Sequence, residues 1–235
     1  MARNVLVVGF EPFGAAKVSP SDVVARALDG RLIAGRSIVA PVLPVETRTL
    51  RERLEAVLRE ADPDIVIAMM QLGGRPALSI ERVAVNVMDF EHADNQGVAR
   101  RGDAISRGGP DARLSNLPFD RILESWHANG VPGFISNAAG TFIGNQALYE
   151  LLGLTESAVP PVLCGLVHLP YLPAQAINAG ADSTPSMSFD LMKKGLELLI
   201  EAVVPWIEQR TPETAKTRDK GKQMWIPRGV KEVER

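Results

Sequence analysis

The sequence predicts an α/β fold, on two observations. Three continuous apolar runs, Val5-Leu-Val-Val8, Ile65-Val-Ile-Ala-Met-Met70 and Val162-Leu-Cys-Gly-Leu-Val-His168, suit strands covered on both faces, as in a parallel sheet. Between them stand segments with apolar residues at helical spacing, such as leucines 50, 54 and 58 with charges between, the signature of amphipathic helices lying on that sheet. At 235 residues and 46% hydrophobic, the chain is long enough for one large domain or two small ones with an ample core.

Composition excludes several function classes. A formal charge of −2 gives no basic footprint for nucleic acid or an anionic membrane surface. The single cysteine, Cys164, excludes an internal disulfide and a cysteine-rich zinc site. No apolar run approaches the roughly 20 residues that span a bilayer, and the N-terminus enters a strand without a signal-like segment. The chain reads as cytoplasmic, with small molecules, peptides or copies of itself as partners.

In order, Asn4 to Phe10 predicts a central strand. The loop Gly9-Phe-Glu-Pro-Phe-Gly14 departs from the dinucleotide fingerprint, because aromatics and a proline stand where backbone must approach pyrophosphate. Phe10 and Phe13 read either as core or as walls of an apolar pocket. Ser19-Pro20-Ser21-Asp22 opens a helix to about Gly30, with Ser19 as N-cap. Arg36 to Val45 predicts a strand, Thr47 to about Ala61 a helix, and Asp64 to Met70 a buried strand ending at the glycine loop Gln71-Leu-Gly-Gly-Arg75. Glu81 to Met88 alternates with a period of two, which predicts a less buried strand with Glu81 at its start. Residues 89 to 116 show no sustained period and read as a long loop. Pro118 to about Asn129 predicts a helix, and Gly133 to Ser136 and Val162 to His168 predict strands. Ser186 or Ser188 caps a long helix whose apolar face is 191, 195, 198, 199 and 203, ended or kinked by Pro205. From Thr211 the pattern turns polar. The division is a domain over 1–210 and an extension over 211–235.

The centre of the chain is Ser136-Asn-Ala-Ala-Gly-Thr-Phe-Ile-Gly-Asn-Gln-Ala-Leu-Tyr149, a strand passing through a glycine turn into a helix at Phe142 to Leu152. Such a turn aims backbone N–H groups and a helix dipole at a bound group. It is where an α/β enzyme holds a nucleophile, yet Gly144 has no side chain and Asn145 and Gln146 are amides. Thr141 has a hydroxyl but no base nearby in sequence.

These residues carry a family resemblance. Gly9-Phe-Glu-Pro-Phe-Gly14, Gln71-Leu-Gly-Gly-Arg75 with Glu81-Arg-Val-Ala-Val-Asn86, Ser136-Asn-Ala-Ala-Gly-Thr-Phe142 and His168-Leu-Pro-Tyr-Leu-Pro173, in that order, resemble pyroglutamyl peptidase I, also called pyrrolidone-carboxylate peptidase, from residue 4 to about 204. The resemblance implies a single-domain, three-layer α/β/α sandwich with a twisted, mostly parallel sheet, and a homotetramer. It further implies removal of N-terminal pyroglutamate from peptides by a Cys-His-Glu mechanism without a cofactor. It puts the histidine at His168 and the carboxylate at Glu81. The cysteine position is Gly144, and the arginine near the oxyanion is replaced by Glu91; His92 and Gln146 depart from the family as well. The pyroglutamyl pocket implied is Phe10, Phe13, Gln71 and Phe142.

A glycine cannot attack a carbonyl, and an acid opposes a developing oxyanion. The expectation is therefore an inactive or altered family member, with a non-catalytic binder of pyroglutamyl-like or cyclic-amide ligands, or a structural homo-oligomer, as the alternatives. Besides Thr141, the sequence offers two substitutes for the thiol. Cys164 lies four strand residues from His168, roughly 13 Å, too far for proton transfer. Glu91, His92 and Asp94 with Glu81 and His168 supply zinc-type ligands, but nothing in the sequence fixes their geometry.

Overall fold

The computed structural model describes residues 3–90, 92–178 and 184–209. Glu91 and the extension 211–235 lie outside the described residues. The elements run β1 (Asn4–Phe10), α1 (Pro20–Leu28), β2 (Leu32–Ile33), β3 (Arg36–Val39), β4 (Val42–Leu43), α2 (Leu50–Ala61), β5 (Pro63–Gln71) and β6 (Leu78–Glu81). After these come β7 (Val83–Val85), β8 (Met88–Phe90), β9 (Arg100–Asp103), β10 (Ala112–Leu114), α3 (Phe119–Ala128) and β11 (Gly133–Ser136). The chain continues through α4 (Ile143–Thr155), β12 (Leu163–Leu169), α5 (Pro173–Asn178) and α6 (Phe189–Glu208).

The main sheet has the order β11-β6-β12-β5-β1-β3-β2, with β4 also beside β1. Its pairs are parallel except β6 with β12 and β2 with β3. The three continuous apolar runs became β1, β5 and β12, the three central neighbours, as double-sided burial requires. Alternate residues of β1 serve two layers: Val5 and Val7 pack with α1, α3 and α6, while Leu6 and Val8 pack with α2 and α4. This is the three-layer α/β/α sandwich. Two small antiparallel pairs, β7 with β10 and β8 with β9, stand apart from the main sheet. Among the described residues, no helix is long and apolar enough to cross a membrane.

Several expectations are corrected. The strand Arg36 to Val45 is broken after Val39, where prolines 41 and 44 remove donors; the Ala40 N–H instead reaches Asp29 Oδ1 at 2.8 Å. Glu81 ends β6 rather than starting a strand, because the chain leaves the sheet at Arg82. The stretch 89–116 is not one long loop but holds β9 and β10. Ser19 makes no side-chain capping bond to its helix, its hydroxyl lying 2.9 Å from that of Ser21. Ser188 does cap α6, accepting from the Leu191 N–H. Pro205 does not end α6, which runs to Glu208 with Trp206 and Ile207 still packed on the core.

Candidate active site

The site forms at the carboxyl ends of the central strands. In the antiparallel pair of β6 and β12, His168 lies opposite Ser79. Because strand side chains alternate, Glu81, two residues on from Ser79, shares that face. The His168 Nδ1–H donates to Glu81 Oε1 at 2.8 Å, a tautomer assigned from this bond. Both side chains are essentially buried, Glu81 at 0% and His168 at 3% exposure. Arg75 completes the group, its guanidinium 2.7 Å from the same Glu81 oxygen.

Electrostatics sets the protonation states. Burial depresses the His168 pKa below its ordinary value and outweighs the hydrogen bond and charge of Glu81; the Arg75 charge depresses it further. For Glu81, burial alone would raise the carboxyl, but the bonds and charges of its partners, His168 foremost, hold it below its ordinary value. At neutral pH the pair is a carboxylate holding a neutral imidazole, whose Nε2 is a lone-pair acceptor.

Both groups bind protons more readily in the unfolded chain, so the stability they contribute is complete at neutral pH. It is lost as pH falls, first below the ordinary imidazole range near 6.5. The melting temperature is therefore expected to fall between pH 7.5 and pH 5, and His168→Gln to flatten that fall. Scanning calorimetry of both proteins across this range checks it; parallel curves would contradict the assignment.

Nε2 faces the start of α4. A methyl carbon built on Gly144 would stand 3.0 Å from His168 Nε2 and 3.4 Å from Cβ and Cγ of Met70. A side chain at 144 would thus meet the imidazole directly, at the helix end where N–H groups and dipole favour negative charge. The two amides after Gly144 are structural. Asn145 binds the backbone of Val85 and Val87, and Gln146 exchanges bonds with the hydroxyl and carbonyl of Thr47 at 2.6 and 3.0 Å.

The match to known proteins decides the family: a model described as pyroglutamyl peptidase covers residues 3–205. The chain belongs to the pyroglutamyl peptidase family. It is 37% identical to a pyrrolidone-carboxylate peptidase of Coprothermobacter proteolyticus over 88% of this chain and 99% of that one. It is 42% identical to pyrrolidone-carboxylate peptidase 1 of Ralstonia nicotianae over 86% and 93% of the two chains. The solved pyrrolidone carboxyl peptidase of the hyperthermophile Pyrococcus furiosus superposes with a TM-score of 0.84 at 37% identity, over 87% of this chain and 99% of that one.

Within this pyroglutamyl peptidase framework, the structure brings Glu81, His168 and Gly144 together. Phe13 and Phe142 also meet, with ring centroids 5.3 Å apart. Phe10 is fully buried in the core beside Leu6 and Val8. The Gln71 side-chain oxygen accepts from Gln175 Nε2 at 2.7 Å. Glu91 lies outside the described residues.

The described groups that stood as substitutes for a thiol are engaged elsewhere. Cys164 is buried against Thr155, with its thiol pushed up to about 12 by that burial. Thr141 donates to the Asp89 carbonyl. Asp94 is committed to backbone N–H groups of Thr47, Gln96 and Val98, and among the described residues no cluster of three metal-ligating side chains occurs. Sequence reasoning missed Phe90, edge-on to Phe142 at 4.7 Å, and gave Arg75 no role; its place directly after the glycine pair Gly73-Gly74 was the available signal.

Proposed function

We propose that this protein recognises an N-terminal pyroglutamyl group or a related cyclic amide without cleaving it by a thiol route. One observation supports the reading above others: the buried Glu81–His168 pair is kept intact and aimed at a residue with no side chain. Acyl transfer of the kind the family resemblance implies needs a nucleophile within reach of the base, and Gly144 supplies none. Recognition needs less, namely apolar walls and a few polar partners. Phe13, Phe142 and Phe90 sit together at the first residues of α4, beside Gly144.

Calorimetry with pyroglutamyl peptides and pyroglutamic acid tests the reading. Binding is expected, weakened by about tenfold in Phe13→Ala, the worth of one well-placed aromatic wall. No heat, or heat indifferent to Phe13→Ala, overturns it. A cytoplasmic homo-oligomer belongs to the same proposal, and light scattering on the full chain checks the assembly.

A further inference from the structure

We propose that Arg75 is a positioning residue for His168, acting through Glu81. Its guanidinium makes a fan of contacts that no other side chain at the site matches. Nη1 donates to Glu81 Oε1 at 2.7 Å and to the Ser79 hydroxyl, while Nη2 reaches Ser136 Oγ at 3.4 Å and the Ala138 carbonyl at 3.3 Å. One side chain thereby ties β6, β11 and the loop that leads into α4. The Phe134 ring lies under it, 5.6 Å from the guanidinium carbon.

The loop carrying Arg75 is shaped to deliver it. Gly74 has φ of +83°, and a side chain on Gly73 would collide with the Tyr171 ring at 2.2 Å. Tyr171 follows His168 by three residues, so the loop of the arginine and the end of the histidine's strand interlock. The His168 Nδ1–H and Arg75 share one Glu81 oxygen, and among the described residues the other, Oε2, has no hydrogen-bond partner. Without Arg75 the fully buried carboxylate would lose its one cationic partner and keep the imidazole and the Ser136 hydroxyl, and the cheapest compensation is a proton on His168. The groups facing His168 are Glu81 from β6, Arg75 from its loop, and uncharged Gly144 from α4 and Met70 from β5.

The test is an NMR titration of the imidazole in the full chain, resolved from His92 and His127 by a His168→Gln control. In Arg75→Gln, His168 is expected to titrate higher by about half a unit or more; an unchanged titration in the folded variant overturns the proposal. Should Arg75→Gln fail to fold, Arg75→Lys decides, because it keeps the charge but not the fork. A smaller rise is then expected, and none overturns it. A second readout rests on the proposed recognition of pyroglutamyl groups. With Gly144→Cys present, Arg75→Gln is expected to lower kcat about tenfold or more with KM within twofold, and Arg75→Lys to restore part of it. A change in KM alone would make Arg75 a binding residue and overturn positioning. Loss of pyroglutamyl binding in calorimetry, with the titration shifted as expected, would sink the functional reading and leave this one standing.

Discussion

Gly144→Cys is expected to release the amine from a chromogenic pyroglutamyl amide at least about a thousandfold faster than the unmodified chain. Removing a peptidase nucleophile costs on the order of a millionfold in kcat, and most of what surrounds the nucleophile is present here. The introduced Cβ would stand 3.0 Å from His168 Nε2, so the ring must yield by a few tenths of an ångström. Its bond to Glu81 resists that movement and makes the gain less than complete. Neutral Nε2 would take the thiol proton, and the N–H groups at the start of α4 would stabilise the thiolate. His168→Ala added to Gly144→Cys should abolish the gain. If Gly144→Cys stays at the unmodified rate, the geometry is not competent. The family resemblance implies an arginine near the oxyanion at the position of Glu91, and on that reading Gly144→Cys with Glu91→Arg should exceed Gly144→Cys in turnover, because a cation there would favour the developing oxyanion.

The fold was legible where local pattern and global position agree. β1, β5 and β12 are central, so their burial on both faces is written as unbroken apolar runs. α6 was legible by length, although its buried face is Met192, Gly195, Leu196, Leu199, Ile200, Val203 and Val204, rotated from the face expected with Leu191 and Leu198. β9 escaped because Arg100–Asp103 is mostly exposed and carries no apolar alternation. α5 escaped because none of its residues is buried. The site was legible only through the family motifs. Glu81 and His168 are 87 residues apart, and no local periodicity records a pairing made by two antiparallel strands inside a mostly parallel sheet. Arg75 illustrates the same limit: its role depends on Glu81, Ser136 and Ala138 converging from three segments.

Asn145→Ala is expected to cost about 3 kcal/mol of stability. Asn145 is fully buried beside Gly144. Its Oδ1 accepts the Val85 N–H at 2.9 Å, and its Nδ2 donates to the carbonyls of Val85 at 2.8 Å and Val87 at 3.2 Å. Among the described residues β7 pairs with β10 on one side only, so this amide stands in for a neighbouring strand on the other. Truncation leaves three backbone groups without those partners, at about 1 kcal/mol each. For a domain of this size, that lowers the melting temperature by about 6–12 °C. Scanning calorimetry checks it, and a loss under about 1 kcal/mol would show that water takes over the bonds. Since β7 begins two residues after Glu81, loosening it loosens the carboxylate that holds His168. Asn145→Ala is therefore expected also to reduce the turnover gained by Gly144→Cys, which a merely local packing defect would leave unchanged.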